Sequence, residues 1–243
     1  MRRALSPILH PRLTLVRRQA MRHANGAIIS GTFKGMRFGD NPLSLPIVLG
    51  TYELEIQEVF ERLGDQPFSR IIDIGAAEGH YAVGVALWKP NSTVTAFEAN
   101  PMYHDSIRNL AQCNGVLPRV DIRGECNPED LRALGDELIG AFIIMDVEGY
   151  EKELLDPEKV PHFKSATILV EVHDNFVPGC DEAIRRRFEN SHTIRSFMNR
   201  ERVASEYPIK SGISALGFMS SALVYCSSDG RTEPNGWLFL EPV

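Results

Sequence analysis

The chain is short of most signals that would classify it at once. Its four cysteines, Cys113, Cys126, Cys180 and Cys226, form no C-x-x-C pair, which removes zinc-ribbon and thioredoxin-type readings. Their spacing gives no secreted disulfide framework either, so a reducing, cytoplasmic setting is expected. No apolar run approaches the roughly 20 residues that cross a bilayer, so no transmembrane segment is expected. The basic start has no apolar stretch followed by small residues, and so does not read as a signal peptide. An organellar transit peptide would share its Arg-rich character, with nothing else in support. Internal repeats, low-complexity tracts and an obvious linker are all missing.

Acid is missing from one end. No Asp or Glu precedes Asp40, whereas residues 1–39 hold Arg2, Arg3, Arg12, Arg17, Arg18, Arg22, Lys34 and Arg37. Those are eight of the 26 basic residues, so the rest of the chain sets 18 against 32 acids, a net of −14 within an overall −6. An acidic body argues against nucleic acid as a partner. The basic head is free to meet an anionic surface or carrier, or simply to pack near the acidic body. Oligomeric state is not legible.

What is present is an ordinary globular composition. The chain has 243 residues, 43% hydrophobic and 24% charged, enough for one large α/β domain with a short appendage. Residues 1–50 read as a basic extension with a short helix and a β-hairpin, and 51–243 as the main domain. Leu13, Val16 and Ala20 lie at helical spacing, and Asn25-Gly26 closes that helix. Ala27–Phe33 and Gly35–Phe38 read as two short strands, and Tyr52–Leu63 as a helix.

From residue 70 apolar strand-like runs alternate with helical stretches. The runs are Arg70–Ile74, Thr93–Glu98, Val120–Gly124, Ala141–Asp146 and Thr167–Val172, with helices predicted over Gly79–Trp88, Pro101–Cys113, Asn127–Leu134 and Tyr150–Leu155. Alternation of this length predicts an α/β fold, a doubly wound, mostly parallel seven-stranded sheet covered on both faces, Rossmann-like. Further on, Cys180–Glu189 reads as a helix and Thr193–Met198 and Gly236–Glu241 as strands. Phe218–Cys226 is either strand or helix.

One segment carries chemistry. Ile71-Ile72-Asp73-Ile74-Gly75-Ala76-Ala77-Glu78-Gly79-His80 is an apolar strand, a turn of small residues and a helix start. Glycine lets the chain turn sharply and lets a ligand approach the backbone. The N–H groups opening the helix can receive a carboxylate. Glu98 ends the next strand 23 residues after Gly75, where an acid accepts ribose hydroxyls. The dinucleotide fingerprint G-x-G-x-x-G, registered on Gly75, would need glycine at 77 and 80, and the chain has Ala77 and His80. The 75/77/79 pattern fits S-adenosylmethionine (SAM) better. An NAD(P)-dependent oxidoreductase and a non-catalytic SAM-binding protein are the competing readings.

The fourth strand ends in Met145-Asp146-Val147-Glu148-Gly149-Tyr150-Glu151 and the fifth in Glu171-Val172-His173-Asp174. In parallel order these ends are neighbours. The chain here resembles FkbM-type SAM-dependent methyltransferases. The resemblance rests on Gly50-Thr51-Tyr52-Glu53, Asp73-Ile74-Gly75-Ala76 with Gly79, Phe97-Glu98-Ala99-Asn100-Pro101, Asp146-x-Glu148-Gly149-x-Glu151, Glu171-Val172-His173 and Trp237-Leu238-Phe239. It covers roughly residues 50 to 243. Ala77-Glu78 departs from the Asn-x more usual after Gly-Ala, and Ala204–Met219 falls outside the pattern.

The resemblance implies O-methylation of a hydroxyl on a sugar, polyketide or other small metabolite, so the expected partner is a small-molecule or glycan acceptor. Cofactor contacts are expected from Asp73, Gly75, Ala76, Gly79, Glu98, Ala99 and Asp146. Tyr52 and Glu53 would close over the cofactor, and Glu125 would reach the adenine edge. In the plainer alternative these three are ordinary surface residues. His173 is the candidate general base, because imidazole titrates near neutrality; the alternative is a histidine that only hydrogen-bonds a carboxylate. Asp146 and Glu171 complete the catalytic candidates. Asp146, Glu171 and Asp174 could instead hold Mg²⁺ against the acceptor hydroxyl. Otherwise Glu148 and Glu151 cap the next helix and Asp146 meets the cofactor amine.

Overall fold

The computed structural model describes residues 11–41, 43–200, 203, 206 and 236–243. Seven strands form one sheet: β1 (Arg70–Ile74), β2 (Thr93–Phe97), β3 (Val120–Arg123), β4 (Phe142–Met145), β5 (Thr167–Val172), β6 (His192–Met198) and β7 (Gly236–Pro242). Their order is β3-β2-β1-β4-β5-β7-β6. The first five are parallel, and β7 runs antiparallel between β5 and β6. Strand order reverses between β1 and β4, so the crevice above their carboxyl ends is where an open α/β sheet receives ligands.

Eight α-helices are described: α1 (Pro11–Ala24), α2 (Leu45–Leu49), α3 (Gln57–Arg62), α4 (His80–Trp88), α5 (Pro101–Cys113), α6 (Pro128–Leu134), α7 (Glu151–Leu154) and α8 (Cys180–Phe188). None is long and apolar enough to cross a membrane. Period-two alternation divides the strands between two cores. Ile71, Ala96, Phe142, Ile144, Leu169 and Phe239 face α4, α5 and the segment 27–49. Ile72, Ile143, Met145, Ile168, Val170 and Leu238 face α6 and α8. The α6 start is capped: the Asp130 carboxylate takes the amide of Asn127 at 2.9 Å, and Asp130 N donates to the Asn127 carbonyl at 3.0 Å. A cap of this kind contributes about 1 kcal/mol.

Two local expectations are corrected. The predicted hairpin over Ala27–Phe38 is a looped segment joined by a single antiparallel bridge, Ala27 to Arg37. Left-handed glycines at 31 and 35 break both runs, and Phe33 turns inward to pack against Gly84 of α4. Segment 27–49 thus shares its core with the sheet. The helix expected over Tyr52–Leu63 starts late. Gly50 and Glu53 both take left-handed conformations, so a 3₁₀ turn over Leu54–Ile56 comes first and α3 begins at Gln57. The undecided element Phe218–Cys226 lies outside the described residues.

The turn from β1 into α4 is clamped. Asp146 N donates to Ile74 O at 2.9 Å, and Gly75 N to Phe97 O at 2.9 Å. Gly75 has φ +88°, and a Cβ there would overlap the carbonyl oxygen of Asp146. The variant Gly75→Ala therefore adds left-handed strain to a backbone collision, at a cost above roughly 3 kcal/mol. Circular-dichroism melts should show a large fall in Tm or no folded protein; an unchanged melt would contradict this packing.

Candidate active site

Above the reversal point lies a cleft with about 340 Å³ of free space. That volume suits a nucleotide-sized ligand. Gly75, Ala77, Glu98, Ala99, Glu125 and Asp146 line it, together with Cys126, Glu148 and Tyr150. Of the residues expected to contact a cofactor, the cleft brings together Gly75, Glu98, Ala99, Glu125 and Asp146. Ala76 and Gly79 shape the turn from behind: Ala76 N bonds Phe97 O at 3.0 Å, and Gly79 (φ +93°) packs against Ile107.

Glu98 is buried and already organised. Its carboxylate accepts Ala77 N and Asn100 N, both at 2.7 Å. An ionised carboxylate offers about four acceptor positions, so two remain for hydroxyls. Ala77 was not singled out as a contact. It holds φ +44°, a left-handed conformation that aims its N–H at Glu98. Asp73 is 2% exposed, and burial first, then the charges of Asp146 and Glu98, push its pKa up to about 8 against the pull of the Ala82 N–H. Its Oδ2 has no hydrogen-bond partner. A buried acceptor of this kind, two residues before Gly75, suits a cationic ligand group.

Tyr52 and Glu53 are not brought to the cleft. They line a separate small hollow with Phe33, His80 and Tyr81. Glu53 is fully buried and bonds the Tyr81 hydroxyl. His80 lies against the rings of Phe33, Tyr52 and Tyr81, and burial pushes its pKa down to about 3, keeping it neutral.

The second half of the site gathers around His173, at the carboxyl end of β5 and 3% exposed. Nδ1 lies 2.6 Å from Oε1 of Glu151, itself fully buried. Nε2 faces three more carboxylates: Glu148 at 3.4 Å, Asp146 at 3.7 Å and Glu171 at 4.0 Å. Burial pulls the His173 pKa down, but Glu151, then Asp146 and Glu148, push harder, so it lies above the ordinary value. Glu151 does not act as a simple helix cap. One oxygen takes both Gly149 N, at 3.0 Å, and the imidazole, so it fixes the ring's orientation.

Asp146, Glu171 and His173 can each direct one ligand atom into a cluster within 4.8 Å. Asp174, expected among the metal-binding acids, is corrected: its Oδ1 accepts Cys180 N at 2.7 Å and Asp181 N at 3.0 Å, capping α8. The turn chemistry explains why, since a short acid a few residues before a helix start finds unsatisfied amides there. Phe176 was also missed. It stacks on His173 with centroids 5.7 Å apart and planes 18° apart. A lone aromatic in a polar loop was its only sequence signal.

No family model matches the chain, and no curated protein matches it in sequence. Solved structures do. A precorrin-6y C5,15-methyltransferase from Geobacter metallireducens superposes with TM-score 0.55 at 16% identity, over 86% of this chain and 97% of that one. An O-methyltransferase from Bacillus cereus in complex with S-adenosylhomocysteine (SAH) gives 0.48 at 16% identity, over 95% and 90%. One from Streptomyces achromogenes involved in tomaymycin synthesis, in complex with SAM, gives 0.49 at 16% identity, over 94% and 88%. At this identity the likeness is one of fold: the chain shares a Rossmann-like, mostly parallel seven-stranded sheet with the precorrin methyltransferase.

The Glu151–His173 contact makes a measurable prediction. Histidine NMR titration should find His173 above pH 6.5, and Glu151→Gln should move it down. Protonated His173 adds stability that is complete below the unfolded value of about 6.5 and is lost as pH rises through the folded one. A His173 titration that ignores Glu151→Gln would contradict the pairing.

Proposed function

We propose that the chain is a SAM-dependent methyltransferase that methylates a hydroxyl on a sugar, polyketide or other small metabolite, as its resemblance to FkbM-type enzymes implies. The observation that carries this is the joining of two half-sites at Asp146. That residue lines the nucleotide-sized cleft and also faces the His173 imidazole. A binding protein needs only the first half.

The residues fit the cofactor. Glu98 retains two acceptor positions for the ribose, the Gly75–Ala77 backbone leaves the cleft open, and the unpartnered Asp73 Oδ2 suits an α-ammonium group. Glu125, at the exposed rim, is within the reach of an adenine. SAM supplies an activated methyl on a sulfonium. The chain does the rest. It orients the acceptor oxygen, which contributes much of the rate. His173 Nε2 takes the hydroxyl proton, Glu151 holds Nδ1 and stabilises the imidazolium, and Asp146 and Glu171 accept the acceptor's other donors.

A second reading rests on the 4.8 Å cluster of Asp146, Glu171 and His173. Two carboxylates and an imidazole fit a divalent cation. The nitrogen ligand favours Mn²⁺ or Zn²⁺ over Mg²⁺. Bound there, a cation would acidify the acceptor hydroxyl.

Calorimetry should show SAM binding with Kd on the order of micromolar. Glu98→Gln should weaken it by about tenfold to a hundredfold, the worth of charged hydrogen bonds to the ribose. A folded protein that binds no SAM would overturn the reading. Methyl transfer that survives EDTA would eliminate the cation and leave His173 as the base.

A further inference from the structure

We propose that the outer face of α1 docks on an anionic lipid surface, with its arginines on the headgroups and Leu15 set among them. The helix has two unlike sides. Ala20 and Ala24 are buried, and Met21 packs against the core. Small residues at i and i+4 let α1 lie close on the domain. The other side carries Thr14, Leu15, Arg17, Arg18, Arg22 and His23, all exposed. Leu15, Arg18 and Arg22 follow at i, i+3 and i+7, so they form one row along the helix. The row is about 10 Å long.

This face is unlike an ordinary solvated one. A helix face that meets only water commonly mixes both signs. Here no acid is present, and no Asp or Glu precedes Asp40 in the chain. Elsewhere Arg62, Arg108, Arg132 and Arg185 each hold a carboxylate. Among the described residues, no carboxylate pairs with Arg17, Arg18 or Arg22. Arg22 and His23 suit the negative end of the helix. Arg17 and Arg18 stand mid-helix, where the dipole does not account for them.

Charge selects an anionic partner, and Leu15 selects its kind. Leu15 is 45% exposed beside the cations. A lipid interface takes cations and an apolar side chain together, because headgroups lie against acyl chains. A nucleic-acid backbone offers phosphates and no apolar layer. The chain beyond residue 39 has 18 basic residues against 32 acidic ones, a net of −14. The same surface repels that body, so the end bearing α1 must lead. The helix has already committed its small apolar side to the domain. The contact is therefore mainly electrostatic, reversible and weakened by salt.

The test is co-sedimentation of the full chain with phosphatidylcholine vesicles containing about one third phosphatidylglycerol, against vesicles of phosphatidylcholine alone. Binding should occur on the first only, and should fall steeply as salt rises from about 0.05 to about 0.5 M. Arg17→Gln, Arg18→Gln and Arg22→Gln together should weaken it about a hundredfold, roughly fivefold for each arginine. Leu15→Ser alone should weaken it about threefold to tenfold. A control carrying Arg108→Gln, Arg132→Gln and Lys164→Gln removes equal charge from exposed positions elsewhere, and should stay within about threefold of the parent. All these side chains are exposed, so circular dichroism should show each variant folded. Equal binding to both vesicles, binding to neither, or a control as damaging as the α1 variant would each overturn the proposal. So would indifference to Leu15→Ser, or tighter binding to duplex DNA or RNA than to the anionic vesicles.

Discussion

The close approach of the Gly75 backbone to the carbonyl of Asp146 is the constraint on which the rest of the site depends. It leaves no room for a side chain at 75 and forces a left-handed turn there. The same approach fixes the carboxyl ends of β1 and β4 against each other through Asp146 N and Ile74 O. The turn after β1 and the acidic motif after β4 are therefore one mechanical unit. Whatever the cleft holds is presented to Asp146, and Asp146 in turn faces His173.

Within this unit negative charge is concentrated deliberately close to one imidazole. Four carboxylates stand within 4.0 Å of His173 ring nitrogens. Such crowding costs desolvation energy and is held only because the surrounding core is rigid. The folding side of the molecule supplies that rigidity: β4 and β5 are buried on both faces, and Glu151 sits at the start of α7 with no exposure at all. Strong perturbation of titrating groups in a cleft is a mark of chemistry more often than of scaffolding.

The sheet was legible because its strands are near-continuous apolar runs between helical stretches. Arg70–Ile74, Pro101–Cys113 and Thr167–Val172 begin and end where the periodicity says. The cleft wall was legible because small residues and a strand-end acid recur at fixed offsets. What escaped were features set by turns and by tertiary packing. Ala77 takes a conformation that glycine usually takes, so its N–H contact with Glu98 left no compositional trace. Asp174 is a strand-end carboxylate like Asp146 and Glu171, and only the position of α8 turns it away from the cluster. Tyr52 and Glu53 sit at the end of a motif, yet left-handed geometry at Gly50 and Glu53 carries them into a different hollow.

The place of β7 bears on how the molecule is made. It lies between β5 and β6 and is the last described strand in chain order, so among the described strands β6 pairs with β7 alone. During synthesis β5 therefore waits with an open hydrogen-bonding edge, and β6 without the described strand it pairs with, until Gly236–Pro242 leaves the ribosome. Trp237, which stands opposite Glu171 in that pairing, arrives with it. The acid on β5 is thus sealed into the sheet only once residues 236–242 have been made, and a nascent chain stalled short of residue 236 would carry β5 with that edge open.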